Sequence, residues 1–173
     1  INETMDVTQG KLAVGYRCTS DDYPAMVLAN LIFGGTSNSK LFMNVREKLS
    51  LCYYASSSYA RSKNIITVSS GVETGDRDRA LEEIDRQLKA VQRGDWEDWE
   101  QEGALQAIRS SLLSLSDSQG ALENFYLGQI ASGVHETPEE LAAELERVTK
   151  ERIVAAAQTV HLDTVYFLGG REA

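Results

Sequence analysis

Within LFMNVREKLSLCYYASSS, residues 41–58, a helical pattern carrying Arg46 gives way to a strand pattern that opens on Cys52, Tyr53 and Tyr54. A guanidinium with a fixed fork of donors and a neutral phenol hydroxyl are groups that can hold substrate oxygens. A fold needs neither at that point. A second reading needs no substrate. Arginine near a helix C-terminus complements the helix dipole, and tyrosine is common in strands. Stripped of its flanks, the pair is better read that second way.

Other chemistry-bearing residues are sparse. His135, in HETPEE, has Glu136, Glu139 and Glu140 close in sequence, but no second histidine completes H-E-x-x-H or its inverse H-x-x-E-H. It reads as a loop residue ahead of a capped helix. His161 stands alone before the last strand pattern. No metal site is expected in this chain. GGTSNS at 34–39 follows a helix rather than a strand and lacks the Lys-Ser/Thr pair of a phosphate loop, so it is a turn. Serines are plentiful, yet none lies in G-x-S-x-G. Trp96 and Trp99 suit either a partner surface or, better, a core near a helix start. Cys18 and Cys52 fall inside apolar strand patterns without CxxC spacing, and two lone cysteines do not make a disulfide scaffold. The expected compartment is therefore reducing, and cytoplasmic.

The elements that must position Arg46 and Tyr53 are legible. In KLAVGYRC, Leu12, Val14, Tyr16 and Cys18 share one face of a half-buried strand. Asp21 or Asp22 can cap a helix through Tyr23, Val27, Leu31 and Ile32, with Pro24 in its first turn and Gly34 and Gly35 ending it. Ser37 or Asn38 can start a short helix with Leu41, Val45 and Leu49 at helical spacing. LCYYASSSY and NIITVSSGV then form an antiparallel hairpin through Ser62, Lys63 and Asn64.

Leu81, Ile84, Leu88 and Val91 mark an amphipathic helix that Gly94 ends. Asp95 is a candidate N-cap for the next, through Leu105, Ile108, Leu112 and Leu115. A further helical stretch surrounds Leu122, Phe125 and Ile130. Thr137, Pro138 and Glu140 write a capping box, and another helix follows Thr149. TVYFLGG closes with a strand. The expectation is one α+β domain over residues 1–173, a largely antiparallel sheet with helices on one face.

Composition sets outer bounds. Hydrophobic residues make up 42% and charged residues 25%, as in soluble globular domains. With 26 acidic against 17 basic residues the net charge is -9, which argues against a phosphate-tracking, nucleic-acid-binding surface. No long apolar run suits a membrane span. The chain opens at Ile1 rather than Met and reads as a piece of something longer.

With its flanks, NLIFGGTSNSKLFMNVREKLSLCYYASSSY resembles the non-catalytic half of the pitrilysin/insulinase family of zinc peptidases. In that family a Phe-Gly-Gly turn precedes a Ser-(Arg/Lys)-Leu-Phe helix. An Arg-Glu-x-x-x-Leu segment follows, and then a strand with Tyr seven positions after the Arg. Here these are Phe33, Gly34, Gly35, Ser39, Lys40, Leu41, Phe42, Arg46, Glu47, Leu51 and Tyr53. Thr36 stands where a third glycine is common, so the turn is expected to be stiffer.

The resemblance implies one half of a clamshell. The homologous partner half, on the same longer chain or a paired subunit, carries zinc on H-x-x-E-H. This half lacks zinc and lends Arg46 and Tyr53 to peptide binding and to the transition state, with Gly34 and Gly35 beside the substrate. A tetrahedral oxyanion needs a donor besides the metal, and a phenol supplies one without a competing charge. Tyr54 is assigned to packing on the opposite strand face. The isolated chain is expected to be inactive. The same resemblance admits a structural or assembly subunit without proteolysis, since some pairs in the family have lost activity.

Overall fold

The computed structural model describes residues 1–170. Five strands, β1 (Asn2–Met5), β2 (Gly10–Arg17), β3 (Cys52–Ala60), β4 (Ile65–Val72) and β5 (His161–Gly170), form one sheet in the order β1-β5-β2-β4-β3. All neighbours are antiparallel except the parallel β1–β5 edge pair. Six α-helices complete the fold: α1 (Tyr23–Asn30), α2 (Arg77–Arg93), α3 (Asp98–Leu113), α4 (Gln119–Ala131), α5 (Pro138–Leu145) and α6 (Lys150–Ala157). Between α1 and β3 lie two π-helical segments, Leu31–Gly35 and Leu41–Lys48. The sequence therefore predicts the α+β class correctly.

Alternation in the central strand β2 builds the core. Leu12, Val14 and Tyr16 are buried and pair with Ser70, Val68 and Ile66 of β4. Against that face pack Met26, Ile84, Leu88 and Ile153 from α1, α2 and α6. The opposite face presents Lys11, Ala13, Ser56, Ser58 and Thr67, none of them buried. Asp22 caps α1 by accepting from the Ala25 amide, and its carboxylate takes a bidentate pair from Arg152 of α6 at 2.9 and 3.0 Å. Thr137 and Glu140 close the expected capping box on α5.

Several expectations are corrected. The N-cap of α3 is Glu97, in a capping box with Glu100; Asp95 is instead turned to Arg93 at 2.8 Å. Trp96 is buried, but Trp99, one helical turn on, is exposed. The N-cap of the second π-helical segment is Lys40 rather than Ser37 or Asn38, and the Ser39 hydroxyl accepts from the Phe42 amide at 3.5 Å. Leu49 is exposed and Leu51 takes its place in the core. The cause is the wide turn. Leu49 bonds back to Asn44, an i→i−5 bond that rotates its side chain away from the Leu41–Val45 stripe.

Candidate functional site

Two glycines set the approach to the site. A Cβ on Gly34 would stand 2.6 Å from Leu41 Cδ1 and 2.8 Å from the Ser57 amide, so only glycine lets the chain lie against β3 here. Ser57 Oγ donates to Asn30 Oδ1 at 2.8 Å and ties the end of α1 to the same strand. A Cβ on Gly35 would meet Leu31 Cδ2 at 2.9 Å.

The segment Leu41–Lys48 is then fixed from below. Lys40 Nζ lies 3.1 Å from Glu100 Oε1, with side chains only 10% and 11% exposed. Asn44 donates to Gln87 Oε1 at 3.0 Å, and Gln87 in turn donates to Glu83, linking the segment to buried polar groups of α2. Leu41 and Val45 face the core. What remains free is the outer edge of the last turn, where Arg46 emerges with a side chain 40% exposed. Its guanidinium lies over the Phe42 ring, 4.6 Å from the centroid, and 3.4 Å from Glu47.

Tyr53 is placed by a bulge. Cys52 pairs with Val72 and Tyr54 with Gly71, which leaves Tyr53 as the extra residue of β3. Simple alternation therefore fails at this point. Cys52 keeps the core face, Tyr54 takes the open face with Ser56 and Ser58, and Tyr53 is turned out at the strand end, 59% exposed. Its hydroxyl donates to Glu73, the residue after β4. That bond and the carboxylate's charge raise the phenol pKa, so Tyr53 stays a proton donor across the neutral range.

Arg46 and Tyr53 line one cavity of about 450 Å³ together with Glu47, Ser50, Leu51, Cys52 and Glu73. The two residues singled out by sequence are thus brought together. A second cavity of about 300 Å³, on the other side of Arg46, is lined by Gly34, Gly35, Phe42 and Tyr54. Tyr54 packs over Gly71, where a Cβ would come within 2.6 Å of its ring, and receives Lys11 at 5.4 Å from the ring centroid. A broader depression of about 780 Å³ includes His135, and within it Asp22 pairs with Arg152 and Arg147 with Glu144. Among the described residues no group of three His, Cys, Asp or Glu side chains is arranged to hold a metal.

Both cysteines are buried and free. Burial pushes Cys18 up to about 11 and also raises Cys52, so each is a small apolar core group rather than a nucleophile. Glu73 was not visible as a site residue in the sequence. Its only signal is its place directly after the strand that pairs with the Tyr53 strand.

The chain matches the family described as "Peptidase M16 inactive domain" over residues 1–108. It is 42% identical over 171 residues to a Bacillus subtilis (strain 168) protein named "Probable inactive metalloprotease YmfF", covering 96% of this chain and 40% of that protein. It also resembles a solved structure of a conserved protein from Enterococcus faecalis V583, with a TM-score of 0.90 at 33% identity, over 98% of this chain and 41% of that one. A peptidase M16 inactive domain from Pseudomonas fluorescens shares the fold, with a TM-score of 0.78 at 18% identity over 99% of this chain and 43% of that chain. The chain belongs to the M16 metallopeptidase family, as an inactive half-domain. It spans about 40% of the length of the Bacillus and Enterococcus relatives. Among the described residues no helix is long and apolar enough to cross a membrane.

Proposed function

We propose that this chain, one domain over residues 1–173, is the substrate-binding accessory half of a zinc-dependent peptidase and works opposite a homologous zinc-bearing half. Arg46 holds carbonyl oxygens of a bound peptide through its fork of donors. Tyr53 donates its proton as a hydrogen bond to the oxyanion that develops during hydrolysis. Gly34 and Gly35 line the neighbouring cavity and leave room for the peptide backbone. The zinc would be held by the partner half and would supply a Lewis acid for the scissile carbonyl and an activated water. Two free buried thiols fit a reducing, cytoplasmic compartment.

The observation that carries this reading is the shared cavity of Arg46 and Tyr53, with Tyr53 set out by a bulge in β3. In the protein paired with its zinc-bearing half, Tyr53→Phe removes one transition-state donor, and kcat falls about 10²- to 10³-fold. Tyr54→Phe is the control and changes turnover little. Turnover within about twofold of the parent in folded Tyr53→Phe would refute the catalytic role. A second reading, a structural or assembly subunit without proteolysis, draws on the inactivity ascribed to the Bacillus relative by its name. The same measurement decides it, because a scaffold shows no peptide turnover for Tyr53→Phe to lose.

A further inference from the structure

One charge on the Arg46–Tyr53 cavity lacks a counter-charge. Glu73 is exposed on the cavity wall, and the contact it makes is with the Tyr53 hydroxyl. Arg46 is engaged by Glu47 and Phe42, and among the described residues no cationic side chain pairs with Glu73. The cavity thus holds two carboxylates against one guanidinium, on a chain whose net charge is -9. Its field favours a cation.

The hydroxyl contact has its own consequence. A phenol carries one proton, and while that proton is given to Glu73 it is not available to a substrate oxygen. A carboxylate has room for a second partner, but a hydrogen bond to an ionised acceptor is about twice as strong as one between neutral groups. A cation arriving at Glu73 screens the charge and loosens the hold on Tyr53. Leu51 and the Tyr53 ring offer apolar wall for the aliphatic stem of such a side chain.

We propose that Glu73 is a specificity-determining residue, which accepts a lysine or arginine side chain of the bound peptide and thereby releases the Tyr53 hydroxyl toward the peptide backbone. This deepens the accessory-half reading and rests on it for the use made of the released proton. Peptides with a basic residue at this subsite are the favoured substrate class. Acidic ones are disfavoured by Glu47 and Glu73 together.

The test uses the metal-free protein paired with its zinc-bearing half and carrying ¹³C-labelled tyrosine rings, the Tyr53 signal being assigned through Tyr53→Phe. Two acetylated and amidated alanine pentapeptides are titrated, one with lysine at the centre and one with norleucine. The lysine peptide is expected to reach half of its effect on Tyr53 at about two- to fivefold lower concentration, the worth of one solvent-exposed ion pair. Glu73→Gln, which keeps shape and an acceptor, removes that difference. Equal responses to both peptides, no response to either, or a lysine preference that survives Glu73→Gln would each overturn the proposal. None of these outcomes depends on turnover. If Tyr53→Phe abolishes hydrolysis while the peptides are indistinguishable, Glu73 alone is misassigned. If the lysine preference holds while Tyr53→Phe leaves hydrolysis intact, the catalytic reading falls and Glu73 remains a charge-selecting contact.

Discussion

Replacing Lys40 by Met tests what holds the Arg46 segment in place. The ammonium sits 3.1 Å from Glu100 with both side chains nearly out of solvent, so the variant leaves a carboxylate buried without its cation. Breaking such a pair from one side costs about 3–5 kcal/mol. Part of that is offset here, because Glu100 lies in the first turn of α3 and keeps the Glu97 amide at 2.9 Å. A carboxylate at a helix N-terminus recovers about 1 kcal/mol from the dipole. Lys40→Met should therefore lower stability by about 2–4 kcal/mol, or roughly 5–15 °C in Tm for a chain of this size. The double variant Lys40→Met with Glu100→Gln removes both charges, keeps a capping acceptor and should regain most of the loss. Urea denaturation followed by circular dichroism, with unchanged slope, measures both. A single-variant loss under about 1 kcal/mol, or a double variant no better than the single one, would show that solvent screens this pair and that packing alone holds the segment.

Gly34→Ala should destabilise by about 1–3 kcal/mol in the same assay, since its methyl would strike Leu41 and the backbone of β3. Thr137→Ala should lose about 1 kcal/mol through the α5 capping box, whereas Asp95→Ala, at a position that caps nothing, should stay within about 0.5 kcal/mol. The Asp22 carboxyl is held below its ordinary value, first by the hydrogen bonds from Arg152, so its contribution is whole above about pH 4 and fades as pH falls through the depressed native value. The stability gap between the parent and Asp22→Asn should accordingly close in acid, and a gap that widened there would contradict the assignment. Glu73→Gln should bring the Tyr53 phenol back down toward its ordinary value near 10, read by ultraviolet titration against Tyr53→Phe.

What could be read from sequence is what local chemistry writes. The period-two run from Leu12 to Tyr16, the caps at Asp22, Thr137 and Thr149, and the Gly34–Gly35 stop each depend on neighbours within a few residues. Arg46 and Tyr53 emerged because a resemblance attached meaning to their spacing. What was missed is non-local or without a residue signature. The edge strand β1, NETM, is exposed throughout and joins β5 through backbone pairing and one bond from the Tyr166 hydroxyl to Glu3 at 2.8 Å. The Lys40–Glu100 pair joins residues sixty apart. Nothing in Cys52-Tyr53-Tyr54 marks a bulge, since all three types suit a regular strand. The π-turns leave no mark either, and so helical spacing groups Leu49 with Leu41 and Val45.

That bulge separates two kinds of substitution. The sheet has no stake in the Tyr53 side chain, because the residue stands outside the ladder and its ring outside the core. Exchanging Tyr53 would remove its hydroxyl bond to Glu73 and leave the ladder and the core as they are. Gly34 and Lys40 give no such freedom, being pinned by close approach and by burial. On the proposed reading, the group that serves the substrate is thus set apart from the groups that hold the scaffold. For this chain the accessory role is therefore to be judged at Tyr53 and its surroundings, because the resemblance of the whole rests on other residues.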